Sequence, residues 1–309
     1  MFKKASNNLL GLVFAVLLLV VVILLFFDSG KNERTFSEVL VDIDTTAVTK
    51  ILIFSKANNY LPIKIFKQNN GWLVELRNGK TASVPDQKIS QALSELGSII
   101  PKRLAARNKE KWGEFSVDST GARVQIFEGE NLSLDIVIGR FNYQQQLRTV
   151  STYVRLHQDV DVYEVDGFLT ITFNKDADAF RDGTVIKDDS NSWTQLQFDY
   201  PADSSFTLSK INNKWYVNNI ETDSAKTVKY LGSLSNLTQD KFVEDDVNQT
   251  GQKSTYKLTI SNDKLEFIEL TAYVDSTNYV IISSENSEAK FNGRFFGSTV
   301  FVNNKSFLK

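Results

Sequence analysis

Residues 9–27 form an unbroken apolar run without one charged or hydrogen-bonding side chain, and this run constrains the chain more than any other feature. A helix of that length rises about 28 Å, close to the roughly 30 Å hydrocarbon core of a bilayer, so the run reads as a single membrane-spanning helix. A cleaved signal peptide is the rival reading, because Lys3 and Lys4 supply a positive start. The run exceeds the usual signal h-region of about 7–15 residues, and no Ala-x-Ala type of site follows it at Phe26-Phe27-Asp28-Ser29-Gly30, so an uncleaved signal anchor is expected. Lys3, Lys4 and the amino terminus precede the span, while Asp28, Lys31, Glu33 and Arg34 nearly cancel after it. The positive-inside rule then leaves residues 1–8 in the cytoplasm and the bulk of the chain outside it, periplasmic or cell-surface in a bacterium.

Composition narrows the remainder. With 35 Lys and Arg against 37 Asp and Glu, the chain has no charge excess to draw it to nucleic acid. No cysteine is present, which removes disulfides and thiol lipidation. Val, Ile, Phe, Tyr and Thr are abundant and Pro is scarce, a balance that favours strands. After a linker over residues 28–48, enough chain remains for two compact units.

An internal repeat supports two units. Lys67-Gln68-Asn69-Asn70-Gly71-Trp72-Leu73-Val74 is echoed by Lys210-Ile211-Asn212-Asn213-Lys214-Trp215-Tyr216-Val217, at a separation of 215 − 72 = 143 residues. An alternating segment precedes each copy and Asn-Asn supplies turn chemistry, so each predicts a β-hairpin. A helical pattern follows each hairpin. Pro85-Asp86 opens the first, with Ile89, Leu93, Leu96 and Ile100 as its apolar stripe. Asp223-Ser224 opens the second, with Val228, Leu231, Leu234 and Leu237, and an Asp or Ser N-cap is expected in both. Further strands follow at residues 123–127 and 132–138, and again at 256–260, 265–272 and 279–282. The expected class is α+β, a helix on an antiparallel sheet repeated once: residues 49–187 with connecting strands, then residues 188–309.

Between the repeats lie Tyr153-Val154-Arg155, Val162-Tyr163 and Phe180-Arg181-Asp182. Together with the Trp-bearing hairpin, the Pro85-Asp86 helix, Trp112-Gly113-Glu114-Phe115 and Ile138-Gly139, these segments resemble in content and order the bacterial DUF4340 family, a domain of unknown function. At Trp112 the family usually has Tyr-Gly-Leu, a mild departure. The resemblance implies a membrane-anchored protein, some relatives of which occur beside ABC-type export components related to gliding motility. It supplies no catalytic residues to carry over.

Catalytic residue types are scarce. His157 is the single histidine, placed beside the turn-like Gln158-Asp159, and it reads as a solvated loop residue. No Gly-x-Ser-x-Gly, Walker A or Gly-x-Gly-x-x-Gly pattern occurs. Asp159/Asp161, Asp176/Asp178, Asp188/Asp189 and Glu244-Asp245-Asp246 read as loop charges, with calcium binding as the alternative. Arg181 and Asp182 read as a structural clamp rather than a polar site. Trp72, Trp112 and Trp215 read as core anchors; the functional alternative makes Trp72 and Trp215 paired ligand platforms. The sequons at Asn131, Asn236, Asn248 and Asn304 matter only in a eukaryotic secretory host.

No catalytic, cofactor-binding or metal-ligating residue is nominated. The expectation is therefore a non-enzymatic accessory protein that docks onto an integral membrane complex, such as an ABC-type transporter or an export or motility machine. The alternative is a module that binds envelope glycan, or a hydrolase that cleaves it with two carboxylates.

Overall fold

A computed structural model describes residues 16–18, 39–69, 71–146, 148–243, 255–274 and 279–308. The expected span therefore lies outside the described residues except for Val16, Leu17 and Leu18, which are helical and exposed. Among the described residues no helix is long and apolar enough to cross a membrane.

The first sheet is built from β1 (Val48–Phe54), β2 (Pro62–Gln68), β3 (Gly71–Glu75), β4 (Thr81–Val84), β5 (Pro101–Ala106), β6 (Ala122–Glu128), β7 (Asn131–Gln144), β8 (Thr149–Leu156) and β9 (Val162–Asp166). Helix α1 (Asp86–Gly97) follows β4. The second sheet contains β10 (Trp193–Asp199), β11 (Phe206–Ile211), β12 (Lys214–Val217), β13 (Ile220–Glu221), β14 (Tyr256–Asn262), β15 (Phe267–Val274), β16 (Tyr279–Ser283) and β17 (Asn286–Asn292), with helix α2 (Ser224–Leu234) after β13. The strand orders are β4-β3-β2-β1-β6-β7-β8-β9-β5 and β13-β12-β11-β10-β14-β15-β16-β17. Every pairing between these strands is antiparallel.

The two orders are one topology used twice. β1–β4 correspond to β10–β13, and β6–β9 to β14–β17. The correspondence reaches register: Lys67 pairs with Trp72 as Lys210 pairs with Trp215, and β1 and β10 each carry a bulge one residue after their first pair. Asn69 and Asn212 both take positive φ, 53° and 51°, at the hairpin turns, the conformation Asn tolerates best among residues with a Cβ. Even β5 has a counterpart. Phe242 bridges Phe291 of β17, and Val243 N and Lys241 O extend that pairing to Lys290 and Asn292, as β5 pairs with β9.

The protein is largely β. The α+β expectation holds only in the coarse sense that each sheet carries one regular helix, of 12 and 11 residues. Strand alternation does most of the burying: Ile51 and Ile53, Ile63 and Ile65, and Trp72 and Val74 all turn toward the first core. Leu40 and Val41, read as linker, pack into that core, and Val185 and Ile186, read as the end of the first unit, pack into the second. A smaller cluster of Phe115, Val117, Val137, Tyr153 and Val162 occupies another part of the first unit.

Two helix details differ from the sequence reading. Ile89, Leu93 and Leu96 are buried on α1, but Ile100 lies beyond its end and is exposed. On α2 the inward row is Thr227, Leu231 and Leu234, and Val228 faces solvent. Spacing of four then three keeps one face, whereas the steps 228, 231, 234 drift round the helix. Thr227 tolerates burial because its hydroxyl donates to Asp223 O at 2.8 Å. Asp223 caps α2 through Lys226 N at 3.0 Å, but α1 has Pro85 at its N-cap with no side-chain bond, and Asp86 sits in the first turn.

Candidate functional site

Lys88, Arg181, Asp182 and Gly183 meet where the first sheet passes to the second. Residues Ala177–Phe180 form a short 3-10 turn capped by Asp176, whose carboxylate accepts from Ala179 N. Arg181 follows, with its side chain 11% exposed, Nη1 3.1 Å from Asp178 Oδ1 and the guanidinium 3.8 Å from the centroid of the Phe242 ring. Its Nε is buried with no hydrogen-bond partner among the described residues. Asp182 ties both units together: its N–H donates to Ser83 O at 2.7 Å, and its carbonyl accepts from Asn286 Nδ2 at 2.9 Å. Lys88 reaches from α1 to the carbonyls of Ala179 and Arg181 at 2.9 and 2.7 Å, and burial lowers its pKa. At Gly183 a Cβ would stand 2.2 Å from Gln239 O, so only glycine lets these backbones meet.

Two cavities flank this junction and share Leu76 and Arg181. One of about 250 Å³ is lined by Asn58, Arg77, Asp178 and Phe242, and the other, about 510 Å³, by Ser83, Asp182, Asn286 and Glu288. Their charged groups include both signs, and the Arg181 charge is already answered by Asp178. The arrangement is a polar clamp with room for a small polar molecule. Its lining holds neither His nor Cys.

The other nominated residues fall elsewhere. Trp72 is buried in the first core and Trp215 packs, half-buried, against the second. Each lines the same cleft of its own repeat, between hairpin and helix. The first, about 470 Å³, has Lys67, Trp72 and Leu93 in its wall; the second, about 240 Å³, has Lys210, Trp215 and Leu231. The two indoles share no groove, which removes the paired platform. His157 is half-buried, with Nδ1 3.8 Å from Asp135 Oδ2. Glu244-Asp245-Asp246 and Asn248 lie outside the described residues. Among the described residues no three of His, Cys, Asp and Glu gather as metal ligands.

Arg155 emerges as a residue whose role sequence reasoning did not resolve. Its guanidinium stacks 3.7 Å from the centroid of Trp112 and donates to Val117 O, Leu156 O, His157 O and Asp159 O. Trp112 Nε1 donates to Val160 O at 3.0 Å, so indole and guanidinium lock one loop. Gly139 completes this end of the sheet, since a Cβ there would lie 2.2 Å from Phe115 O. Nearby, burial opposes the charge of Asp135 and of Glu164. Hydrogen bonds from Arg123 and Gln125 to the first, and from Ser151 together with the Arg103 charge to the second, outweigh burial and hold both pKa values below the ordinary carboxylate range.

Fold and junction define a class: a duplicated β-rich protein in which two antiparallel sheets, each with one helix, are joined through an arginine–aspartate clamp. The model of the domain of unknown function DUF4340 matches residues 72–259, more than half of the 309-residue chain, and the chain belongs to that family. No curated protein and no solved structure matches it.

Proposed function

We propose that this chain is a membrane-anchored accessory protein, not an enzyme, whose extracytoplasmic sheets dock onto an integral membrane complex such as an ABC-type transporter or an export or motility machine. The apolar run at residues 9–27 carries the proposal, because it supplies a single-pass anchor with the charge asymmetry that leaves both sheets outside the cytoplasm. The commitment of the distinctive side chains to architecture supports it further. Arg155, Trp112, Gly139, Arg181 and Asp182 all hold loops or join sheets.

The glycan-directed alternative receives less support. Asp44, Asp118, Asp135 and Glu164 are all held below their ordinary pKa values, the direction of a stabilised anion and opposite to that of a carboxyl acid catalyst. The test is crosslinking of the tagged full-length chain in living cells, gentle solubilisation, and mass spectrometry of what copurifies, with an anchor-deleted chain as control. Reproducible recovery of transporter or export subunits is expected. Retention on purified envelope glycan with no protein partner overturns the proposal.

A further inference from the structure

The guanidinium of Arg181 is committed on one side only. Nη1 donates to Asp178 Oδ1 at 3.1 Å and the plane stands 3.8 Å from the centroid of the Phe242 ring, contacts that position the group without using its Nε–Nη2 edge. That edge is one that takes a carboxylate two-handed, with two parallel N–H bonds to its two oxygens. Arg123 uses it so in this same chain, where Nε and Nη2 meet Asp135 Oδ1 and Oδ2 at 2.8 and 2.6 Å. In Arg181 no described residue meets the edge, and Nε is buried without a partner. A buried donor in a folded protein is ordinarily met by an acceptor, and one that the chain leaves unmet calls for an acceptor from outside it.

Arg181 stands in the wall of the cavity of about 250 Å³, a volume just under the roughly 300–1,000 Å³ of ligand pockets, so only a small molecule fits. The charges of the wall select its sign. Asp176 accepts from Ala179 N at 3.2 Å and Asp178 is answered by Arg181, so both carboxylates of the cavity already have partners. Arg77, exposed in the same wall, forms no ion pair among the described residues. One cationic side chain and one buried N–H are therefore left for the occupant. A single negative charge suits that balance, whereas a phosphate dianion would also face Asp176 and Asp178. Leu76, Phe242 and Val243 supply an apolar side to the same space.

We propose that this cavity binds a small monocarboxylic acid with an apolar body, its carboxylate on the Nε edge of Arg181 beside Arg77 and its body against Leu76 and Phe242. A carboxylate brings two acceptors in the plane of the fork together with the charge that offsets a desolvated cation, which neither a water nor an amide carbonyl does. Nε is shut off from water as the wall stands, so the acid enters with a small movement of the lining side chains, for which the exposed Arg77 leaves room. Arg77 belongs to the first unit and Phe242 to the second, so the bound acid adds contacts across the junction. The site needs neither the anchor nor a protein partner and so goes beyond the accessory reading.

The test is a fluorine NMR titration of para-fluorophenylacetate with the full-length chain in lipid nanodiscs, with empty nanodiscs as the control for partitioning into lipid. Saturable broadening with a Kd of about 1 mM or below is expected, reversed by unlabelled phenylacetate and not by phenylacetamide, its uncharged counterpart. Arg181→Lys keeps the charge but removes the fork, and is expected to weaken binding about tenfold. Arg77→Gln alters only an exposed side chain without an ion pair, and is expected to weaken binding about threefold with the melting temperature unchanged. No saturable binding overturns the proposal, as does equal displacement by phenylacetamide, tighter displacement by inorganic phosphate, or undiminished binding by either variant. Should Arg181→Lys fail to fold, the amide comparison and Arg77→Gln decide the matter. Each of these outcomes leaves the accessory reading to its own crosslinking test.

Discussion

Replacing Arg155 by Leu tests whether the Tyr153-Val154-Arg155 segment is architectural. The side chain is 4% exposed, and its four carbonyl acceptors lie at 2.8–3.1 Å. Burial pushes its pKa below the ordinary guanidinium value, against the opposing charges of Asp135 and Asp159, so the cation is retained at a desolvation cost that its acceptors offset. Charged hydrogen bonds contribute about 1.5–3 kcal/mol each, but water can reach part of the 157–159 turn once the guanidinium is gone. The net loss is then about 3–5 kcal/mol, the range for breaking a buried charged network. At about 3 °C per kcal/mol for a unit of this size, the first unit's calorimetric transition should fall by roughly 10–15 °C. Arg155→Lys should recover less than half, because one ammonium cannot span several acceptors or stack as a plane on Trp112. A fall below about 3 °C in the Leu variant, with the near-ultraviolet dichroism intact, refutes the clamp.

Gly139→Ala should lower the same transition, since a Cβ 2.2 Å from Phe115 O and 2.7 Å from Val117 Cγ1 forces backbone movement costing about 1–3 kcal/mol; an unchanged melting temperature refutes this. Asp135 has a folded pKa below its ordinary 3.8, so its contribution is present above that value and is lost as pH falls through the lower folded value. Asp135→Asn should therefore flatten the acid limb of urea-midpoint stability below about pH 4, and an unaltered limb refutes it. On the alkaline side, burial and then Tyr256 push Tyr279 from 10.0 to about 12, while burial raises Tyr200 and Tyr230 further. Their contribution is fully present below 10 and is lost as pH rises through the folded values. Tyr279→Phe should reduce the stability lost between pH 10 and 12, and absorbance titration of the wild type should show these phenols ionising late.

The duplication was legible because a hairpin writes itself locally. Alternation around Ile63 and Ile65, an Asn-Asn turn and a Trp on the returning strand recur at β11 and β12, and local features of that kind need no knowledge of distant contacts. The second helix's buried face was misread at one position because Thr227 is polar by type, and only its bonds to Asp223 and Thr222 reveal why it lies inside. β5 escaped for a related reason. Lys102 and Arg103 break its apolar pattern, as suits an edge strand, and its partner β9 lies more than fifty residues away. Arg181 was read as a clamp, but its stacking on Phe242 joins residues sixty positions apart and carries no local signal.

The junction also explains why the family match is not one repeat. It begins at Trp72 in β3, crosses Arg181 and Asp182, and ends at Thr259 in β14, so it takes in parts of both sheets and the clamp between them. Asp182 bonds to β4 through Ser83 and to β17 through Asn286, two edges that belong to different sheets. A clamp bonded to both edges resists separation of the sheets more than either bond would alone, because opening one loads the other. Two sheets held in one geometry would suit the proposed docking role, since rigidity set in advance lowers the ordering cost of binding. The polar, cavity-flanked character of the junction limits that rigidity. Arg181 Nε, buried without a hydrogen-bond partner among the described residues, leaves one polar group of the clamp unanswered.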